Sequence, residues 1–384
     1  TVRVPHLCWM SMAGEAKRDY PASIFYQSPW YKRYPLIEDH FARLNTALTS
    51  GKPHVRIGVI HPVESYWIHF GPSQQTADVR ERLEQQFSDV IEWLLFGLLD
   101  FDFISESLLP GQSEVKEENV FRVGDMKYDV VVVPGCHTIR RSTLERLEAF
   151  AKAGGKVIFM GDLPYLVDAA PDDGAKRLAA NCVCIPFQKT DLLTALEPQR
   201  ELDIRRQDGR RTENIIYQMR EEPDGKWLFL ANGKTPDEQD IPHAQPVVIT
   251  LEGEYKPVVW NTLTGEVQPC AAQVQDGKTV LRYTFYEHDS LLLRLEPGKA
   301  DEAQACAVKK SRKQVDDWKN KVPVTLSEPN VLLLDQAQYQ LDDGAWRDRE
   351  ETLRVDNILR EELGYPLKMA AFPQPWTMRG ENQA

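Results

Sequence analysis

The chain has 384 residues, 42% hydrophobic and 27% charged, the make-up of a soluble globular protein with room for two to four domains. Its net charge of −12 disfavours nucleic acid as a partner, because phosphate binding needs basic patches. No apolar run approaches the ~20 residues of a membrane span and no signal peptide opens the sequence; the expectation is no membrane partner and a cytoplasmic location, or a periplasmic or secreted one if an upstream signal peptide was removed.

The sequence lacks an initiator Met and begins in a strand-like run, Thr1-Val2-Arg3-Val4, which reads as a fragment with partial elements at its two ends. Residues 1–28 carry no clear periodicity but are dense in Tyr, Pro and charge, including Glu15-Ala16-Lys17-Arg18-Asp19-Tyr20-Pro21. From Trp30 to Leu48 the pattern turns helical, with Leu36, Ile37, His40, Phe41, Leu44 and Leu48 on one face, and it ends at Gly51 and Pro53. Arg18-Asp19-Tyr20-Pro21, Pro29-Trp30 and Phe41-Ala42-Arg43-Leu44 together resemble the tail of the catalytic barrel in α-L-rhamnosidase-like glycoside hydrolases. The resemblance implies that residues 1–53 are a barrel tail with a linker helix, and that most of the barrel lies upstream. Aromatic rings stack on the apolar faces of sugars while acids and Arg bind hydroxyls, so Glu15, Arg18, Asp19, Tyr20 and Trp30 are candidate substrate contacts. The competing reading is an ion-paired, Tyr-packed loop that seals a barrel bottom or a domain junction.

An α/β pattern occupies residues 54–198. Val55–Ile60 reads as a first strand, Asp78–Phe96 as a helix and Phe101–Ile104 as a second strand. The continuous apolar run Val130–Val133 reads as a strand buried on both faces; an amphipathic helix with Leu144, Leu147, Phe150 and Ala151 follows it, closes on Gly154-Gly155 and leads into a strand at Val157–Met160. Cys182–Ile185 is a fifth strand and Thr190–Leu196 a short helix, an order that predicts a flavodoxin-like parallel sheet. His61, Glu64, Trp67 and His69 follow the first strand, at the carboxyl end where such sheets place ligands, and His61 and Glu64 join the candidate substrate contacts.

The unit from Tyr128 to Asp162 resembles the class I glutamine-amidotransferase-like fold, in the version embedded in large bacterial glycoside hydrolases and known from the β-galactosidase trimerisation domain. Amidotransferases carry a Cys in a Gly-x-Cys-x-Gly turn. Here the strand ends in Met160-Gly161-Asp162-Leu163-Pro164, without a thiol, and Pro134-Gly135-Cys136-His137-Thr138 does not form that motif. The resemblance therefore implies the fold and argues against the chemistry. Cys136-His137 could in principle pair a thiol with a base, but adjacent residues after a strand point apart. The six cysteines are scattered, without C-x-x-C, and read as buried free thiols in a reducing compartment; Cys182 and Cys184 would share one face of their strand. With no G-x-G-x-x-G, P-loop or His-Glu-x-x-His, neither a cofactor nor a metal is expected.

From residue 199 to 298 the period changes to two. Short strands at Ile215–Tyr217, Trp227–Leu230, Val247–Ile249, Pro257–Trp260, Val280–Tyr283 and Leu291–Leu293 are separated by turn signals such as Asp224-Gly225, Thr264-Gly265 and Asp276-Gly277, a spacing that predicts a β-sandwich. Trp260-Asn261-Thr262-Leu263-Thr264-Gly265 resembles a hairpin turn common in accessory β-domains of glycoside hydrolases. Residues 299–384 begin with a charged linker containing Lys309-Lys310-Ser311-Arg312-Lys313. A new β segment at Leu332–Asp335, Trp346 and a short helix at Asp356–Leu363 then resemble the start of a jelly-roll sugar-binding domain.

These resemblances imply a non-catalytic, substrate-shaping portion of a bacterial glycoside hydrolase, with carbohydrate, the remainder of the parent enzyme and a second copy of the chain as the expected partners. Glycoside hydrolysis needs two carboxylates flanking the bond, and among 58 acidic residues spacing singles out no such pair. The alternative is a carbohydrate-binding or oligomerisation module with no hydrolytic role.

Overall fold

A computed structural model of the chain describes residues 31–235, 243–299, 325 and 336–367. The described residues fall into two compact units, one from Leu44 to Lys299 and the other from those before Leu44 and after residue 307. Glu15, Arg18, Asp19, Tyr20 and Trp30, the linker after residue 299 and the segment Leu332–Asp335 lie outside the described residues.

Five parallel strands organise the first half of the larger unit: β1 (Ile57–Ile60), β2 (Phe101–Ile104), β3 (Val130–Val133), β4 (Lys156–Met160) and β5 (Val183–Ile185), in spatial order β5-β4-β3-β1-β2. The four valines of β3 show why the run is uninterrupted. Successive side chains in a strand point to opposite faces, and here both faces are covered. Val130 and Val132 meet α3 (Ser73–Phe96) and α5 (Lys189–Leu196) through Val90, Leu94, Leu192 and Leu196. Val131 and Val133 share a core with Leu144, Leu147 and Phe150 of α4 (Arg141–Lys152). The expected neighbouring, interior, parallel placement of β3 and β4 is what the structure has.

Several local expectations need correction. α3 begins at Ser73 rather than Asp78, because Ser73-Gln74-Gln75-Thr76 supplies a first turn with no apolar residue to announce it. A five-residue helix, α2 (Val63–Trp67), stands where the sequence suggested only a strand end. The expected burial of the thiols holds for Cys136 alone among the described cysteines. Cys182 and Cys270 are half-buried and Cys184 is exposed, on β5, the outermost strand of this sheet among the described residues.

The second half of the unit is antiparallel. Strands β6 (Leu202–Arg206), β7 (Ile215–Glu222), β8 (Gly225–Asn232), β9 (Gln245–Glu252), β10 (Tyr255–Trp260), β11 (Val267–Pro269), β12 (Ala272–Gln275), β13 (Lys278–Phe285) and β14 (Ser290–Pro297) form two sheets. One runs β7-β8-β14-β10-β11 and the other β6-β9-β13-β12. Leu228, Leu230, Leu293 and Leu295 of the first pack with Ile204, Ile249, Leu281 and Phe285 of the second in one core. The turns obey local chemistry. Between β12 and β13, Asp276 and Gly277 have φ of 49° and 76°, the two positive values that a tight Asp-Gly hairpin turn requires. Between β10 and β11, Asn261 Oδ1 accepts the N–H groups of Leu263 and Thr264.

The chain visits the first antiparallel sheet before it enters the parallel one. Lys52–Pro53 pairs antiparallel with β7, and Arg220 of β7 donates to the carbonyls of Ser50 and Gly51. Charges reinforce this join. His54 Nε2 lies 2.6 Å from Glu201 Oε2, Arg56 bridges Glu201 at 2.9 Å and Asp129 at 2.5 Å, and Lys226 lies 3.7 Å from Glu201. Burial alone would raise the Glu201 carboxyl, but the His54, Lys226 and Arg56 cations outweigh it and hold it at about 2.

In the smaller unit, β15 (Gln336–Tyr339) and β16 (Arg347–Glu351) pair antiparallel and lead into α6 (Thr352–Leu363). The Glu351 side chain caps α6 by accepting the Arg354 N–H at 3.1 Å, and Gly364, at φ 72°, ends it. Trp346 is exposed. α1 (Pro35–Thr49), opened by Pro35, buries Leu44, Ala47 and Leu48.

Candidate functional site

In the strand order of this sheet, chain connections leave β1 and β3 in opposite directions, and the crevice beyond their carboxyl ends is where doubly wound sheets place ligands. Two segments build that crevice here. α2 and the residues after it follow β1, and the buried run Pro134–Ile139 follows β3. Ser65, 1% exposed, ties them together. Its hydroxyl accepts the N–H groups of His137 (2.9 Å) and Thr138 (3.1 Å) and donates to the Thr138 carbonyl (3.3 Å). One residue earlier, Glu64 accepts from Arg140 Nε at 2.6 Å. Four residues later, His69 Nε2 faces His137 Nδ1 at 2.6 Å, with the ring planes near perpendicular. One imidazole donates and the other accepts, so a single proton lies between these two nitrogens.

His137 is the hub. Its carbonyl accepts the N–H groups of Tyr165 and Leu166, and its ring lies 5.5 Å from that of Tyr165. Burial lowers its basicity first, and His69 and Arg82 lower it further, while Asp162 opposes them. Beneath the hub, Glu106 is 4% exposed and accepts the Arg140 N–H at 2.8 Å; burial pushes its carboxyl up to about 7.

Of the residues expected at this end of the sheet, His61 and Glu64 have different neighbours. His61 packs against the stacked pair Phe87 and Phe103, at 5.3 and 5.5 Å, where burial lowers its pKa. Glu64 is engaged with Arg140 and His69 with His137, while Trp67 stands 61% exposed. Ser65, Arg82, Glu106, Arg140, Asp162 and Tyr165 escaped sequence reasoning. His69 and His137 are 68 positions apart, and no spacing rule links them.

Neither the Ser65 hydroxyl nor the Cys136 thiol is a usable nucleophile. The Ser65 hydroxyl is spent on backbone, and Cys136 is 1% exposed with its thiol pushed up by burial and then by Glu106. Peptide-mapped alkylation of the native chain is expected to modify Cys184 readily and to leave Cys136 untouched until a denaturant is added. Rapid native labelling of Cys136 would contradict its burial. Among the described residues no group of three or more His, Cys, Asp or Glu is placed to hold a metal ion, and no helix is long and apolar enough to cross a membrane.

A cavity of about 990 Å³ opens at one end of the antiparallel sheets, lined in part by Arg206, Asn214, Asn232, Lys234, Gln245 and Glu287. Its amides satisfy one another: Asn214 Nδ2 donates to Asn232 at 3.1 Å and to Gln245 at 2.8 Å, and Gln245 returns a bond to Asn214.

No family model matches the sequence, and no curated protein matches it. Solved structures do resemble it. A rhamnosidase from Novosphingobium sp. PP1Y aligns over 82% of this chain and 27% of its own length, with TM-score 0.50 and 14% identity. An α-L-fucosidase isoenzyme 2 from Paenibacillus thiaminolyticus aligns over 70% of this chain and 52% of its own, with TM-score 0.43 and 12% identity. A β-galactosidase from Bacillus circulans sp. alkalophilus aligns over 71% and 46%, with TM-score 0.44 and 11% identity. The chain thus spans about a quarter of the rhamnosidase, and the likeness to it is one of fold: a mixed α/β arrangement of the kind found within a glycoside hydrolase.

Proposed function

We propose that this chain is a non-catalytic, substrate-shaping portion of a bacterial glycoside hydrolase, with α-L-rhamnosides as the substrate class of the parent enzyme. The observation that carries the reading is the alignment of four-fifths of the chain with about a quarter of a rhamnosidase. The parallel-sheet region, residues 54–198, is read as an amidotransferase-like domain without a nucleophile. Its support is the strand order β5-β4-β3-β1-β2 together with the sealed Cys136. Residues 199–298 are read as a β-sandwich accessory domain, supported by the common core of the two antiparallel sheets. Residues 1–53 and 299–384 are read as a barrel tail and the start of a jelly roll. Glu15, Arg18, Asp19, Tyr20 and Trp30 stay candidate sugar contacts of the first of these, and His61 and Glu64 of the parallel-sheet region.

A second reading, a carbohydrate-binding or oligomerisation module with no hydrolytic role, is favoured by Trp67 and Phe70, exposed by 61% and 80% at the ligand end of the sheet. Assay of the chain with aryl α-L-rhamnoside and aryl β-galactoside tests the non-catalytic claim. The expected rate equals that of a protein-free blank. Turnover that disappears in Glu64→Gln would place the catalytic carboxylates within this chain and refute the claim.

A further inference from the structure

The cavity at the end of the antiparallel sheets draws its amides from both of them. Asn214 stands just before β7, Asn232 closes β8 and Gln245 opens β9. Their mutual bonds, at 2.8, 3.0 and 3.1 Å, fix the orientation of all three side chains. Asn232 is anchored again by donating to the Tyr286 carbonyl at 3.2 Å. These bonds orient the amides without exhausting them. Each amide nitrogen carries two donors and each amide oxygen two lone pairs. Asn214 spends both donors, whereas Asn232 and Gln245 each retain one among the described residues, and all three oxygens retain a lone pair. The charges around them already have partners. Arg206 lies 3.9 Å from Asp208, Lys234 3.1 Å from Glu92 and Glu213 3.2 Å from Lys189. Glu287 accepts the His243 N–H at 2.8 Å on each oxygen, and the His243 ring nitrogen lies 3.1 Å away. No Trp, Tyr or Phe ring is among the described lining residues.

We propose that this cavity binds a neutral oligosaccharide segment, through hydroxyl contacts to Asn232 and Gln245 rather than by ring stacking. A hydroxyl both donates and accepts, so it can take a spare N–H and meet a spare oxygen lone pair. A carboxylate only accepts, and here it would compete with Asp208 or Glu92 for its cation. An ammonium only donates and would compete with Arg206 or Lys189 for an acid. The volume of about 990 Å³ stands at the top of the ~300–1,000 Å³ range of small-molecule sites and has room for more than one sugar ring. Because the amides are already held by one another, little side-chain ordering opposes binding. The inference rests on the carbohydrate reading above and deepens it by giving the sugar a place on the antiparallel layer.

Saturation-transfer NMR on the full chain tests this, with cellobiose, lactose and methyl α-L-rhamnoside as neutral probes, galacturonate as an anion and glucosamine as a cation. At least one neutral probe is expected to bind, and both charged sugars more weakly. Gln245→Ala removes a spare donor and should weaken binding about tenfold, the net worth of one hydrogen bond. Ala244→Trp fills the lining from an exposed position and cuts no side-chain hydrogen bond. It should abolish the signal while the melting temperature stays that of the parent, and it decides the matter where Gln245→Ala unfolds. Silence of all three neutral probes overturns the site, as does binding that survives Ala244→Trp. The carbohydrate reading is left standing by either result, because it fails separately, on turnover by the chain itself. Stronger binding of galacturonate or glucosamine overturns the charge argument and the proposal with it.

Discussion

Val131→Asp is expected to leave the parallel sheet unfolded at neutral pH. Val131 is 0% exposed in the middle of β3, paired with Gly58 on one side and Val157 on the other, and it faces a core that offers a carboxylate no cation. Ionised there, the Asp loses hydration without recovering a partner, a cost of several kcal/mol; protonated, it still leaves buried oxygens unsatisfied. Removal of the valine methyl groups adds a packing loss of about 1 kcal/mol or more. The sum is of the order of a domain's whole stability, about 5–15 kcal/mol. Circular dichroism with urea titration reads the result, and cooperative unfolding at the parental midpoint would refute the burial that makes this strand central.

Glu106→Gln should remove a contribution to stability whose pH dependence runs opposite to ordinary acid denaturation. Glu106 is held up at about 7 by burial, against the opposing Arg140 N–H, and Asp100 is likewise raised to about 7 by burial and then by Asp102. In the unfolded chain such groups titrate near pH 4. Between about pH 4 and 7 the unfolded chain has released these protons while the folded one retains them, so stability falls as pH rises and the loss is complete above 7. At roughly 1.4 kcal/mol per pKa unit, each group costs on the order of 3 kcal/mol at pH 8. Glu106→Gln removes one of these costs. It should match the parent near pH 4 and exceed it by up to about 3 kcal/mol at pH 8. Glu201 works the other way: its carboxyl, held down at about 2, contributes stability that is lost as pH falls from about 4 through 2. Urea midpoints measured from pH 4 to 8 check the prediction, and a parental slope in Glu106→Gln would sink it.

The sequence announces what is local and periodic. Val130–Val133, the α4 stripe and the Asp276-Gly277 turn each carry their signal within a few residues, and each lies where the pattern puts it. α2 is too short to show a period, and Ser73–Thr76 is polar, so one helix was invisible and another too short. Cys184 is exposed on β5, an edge strand among the described residues, and edge placement is a property of the sheet rather than of the strand. The crevice was half legible. A carboxyl-end loop can be located from strand order, but the partners of Glu64 and His69, namely Arg140 and His137, come from across the switch point through contacts that only the folded topology creates.

The pairing of Lys52–Pro53 with β7 bears on how the chain can be cut. A boundary drawn at residue 199 looks natural along the sequence, yet the antiparallel layer borrows its outermost strand from the segment that enters the parallel layer. Excision of residues 199–298 would strip that strand from β7, leave the Arg220 guanidinium without the Ser50 and Gly51 carbonyls, and bare a flank open to intermolecular pairing. Gly51, with φ of 57°, lies so close to the Glu221 carbonyl that any Cβ would collide, so the stitch tolerates little redesign. Recombination that inherits the two layers together keeps this seam intact, whereas shuffling them as separate cassettes tears it.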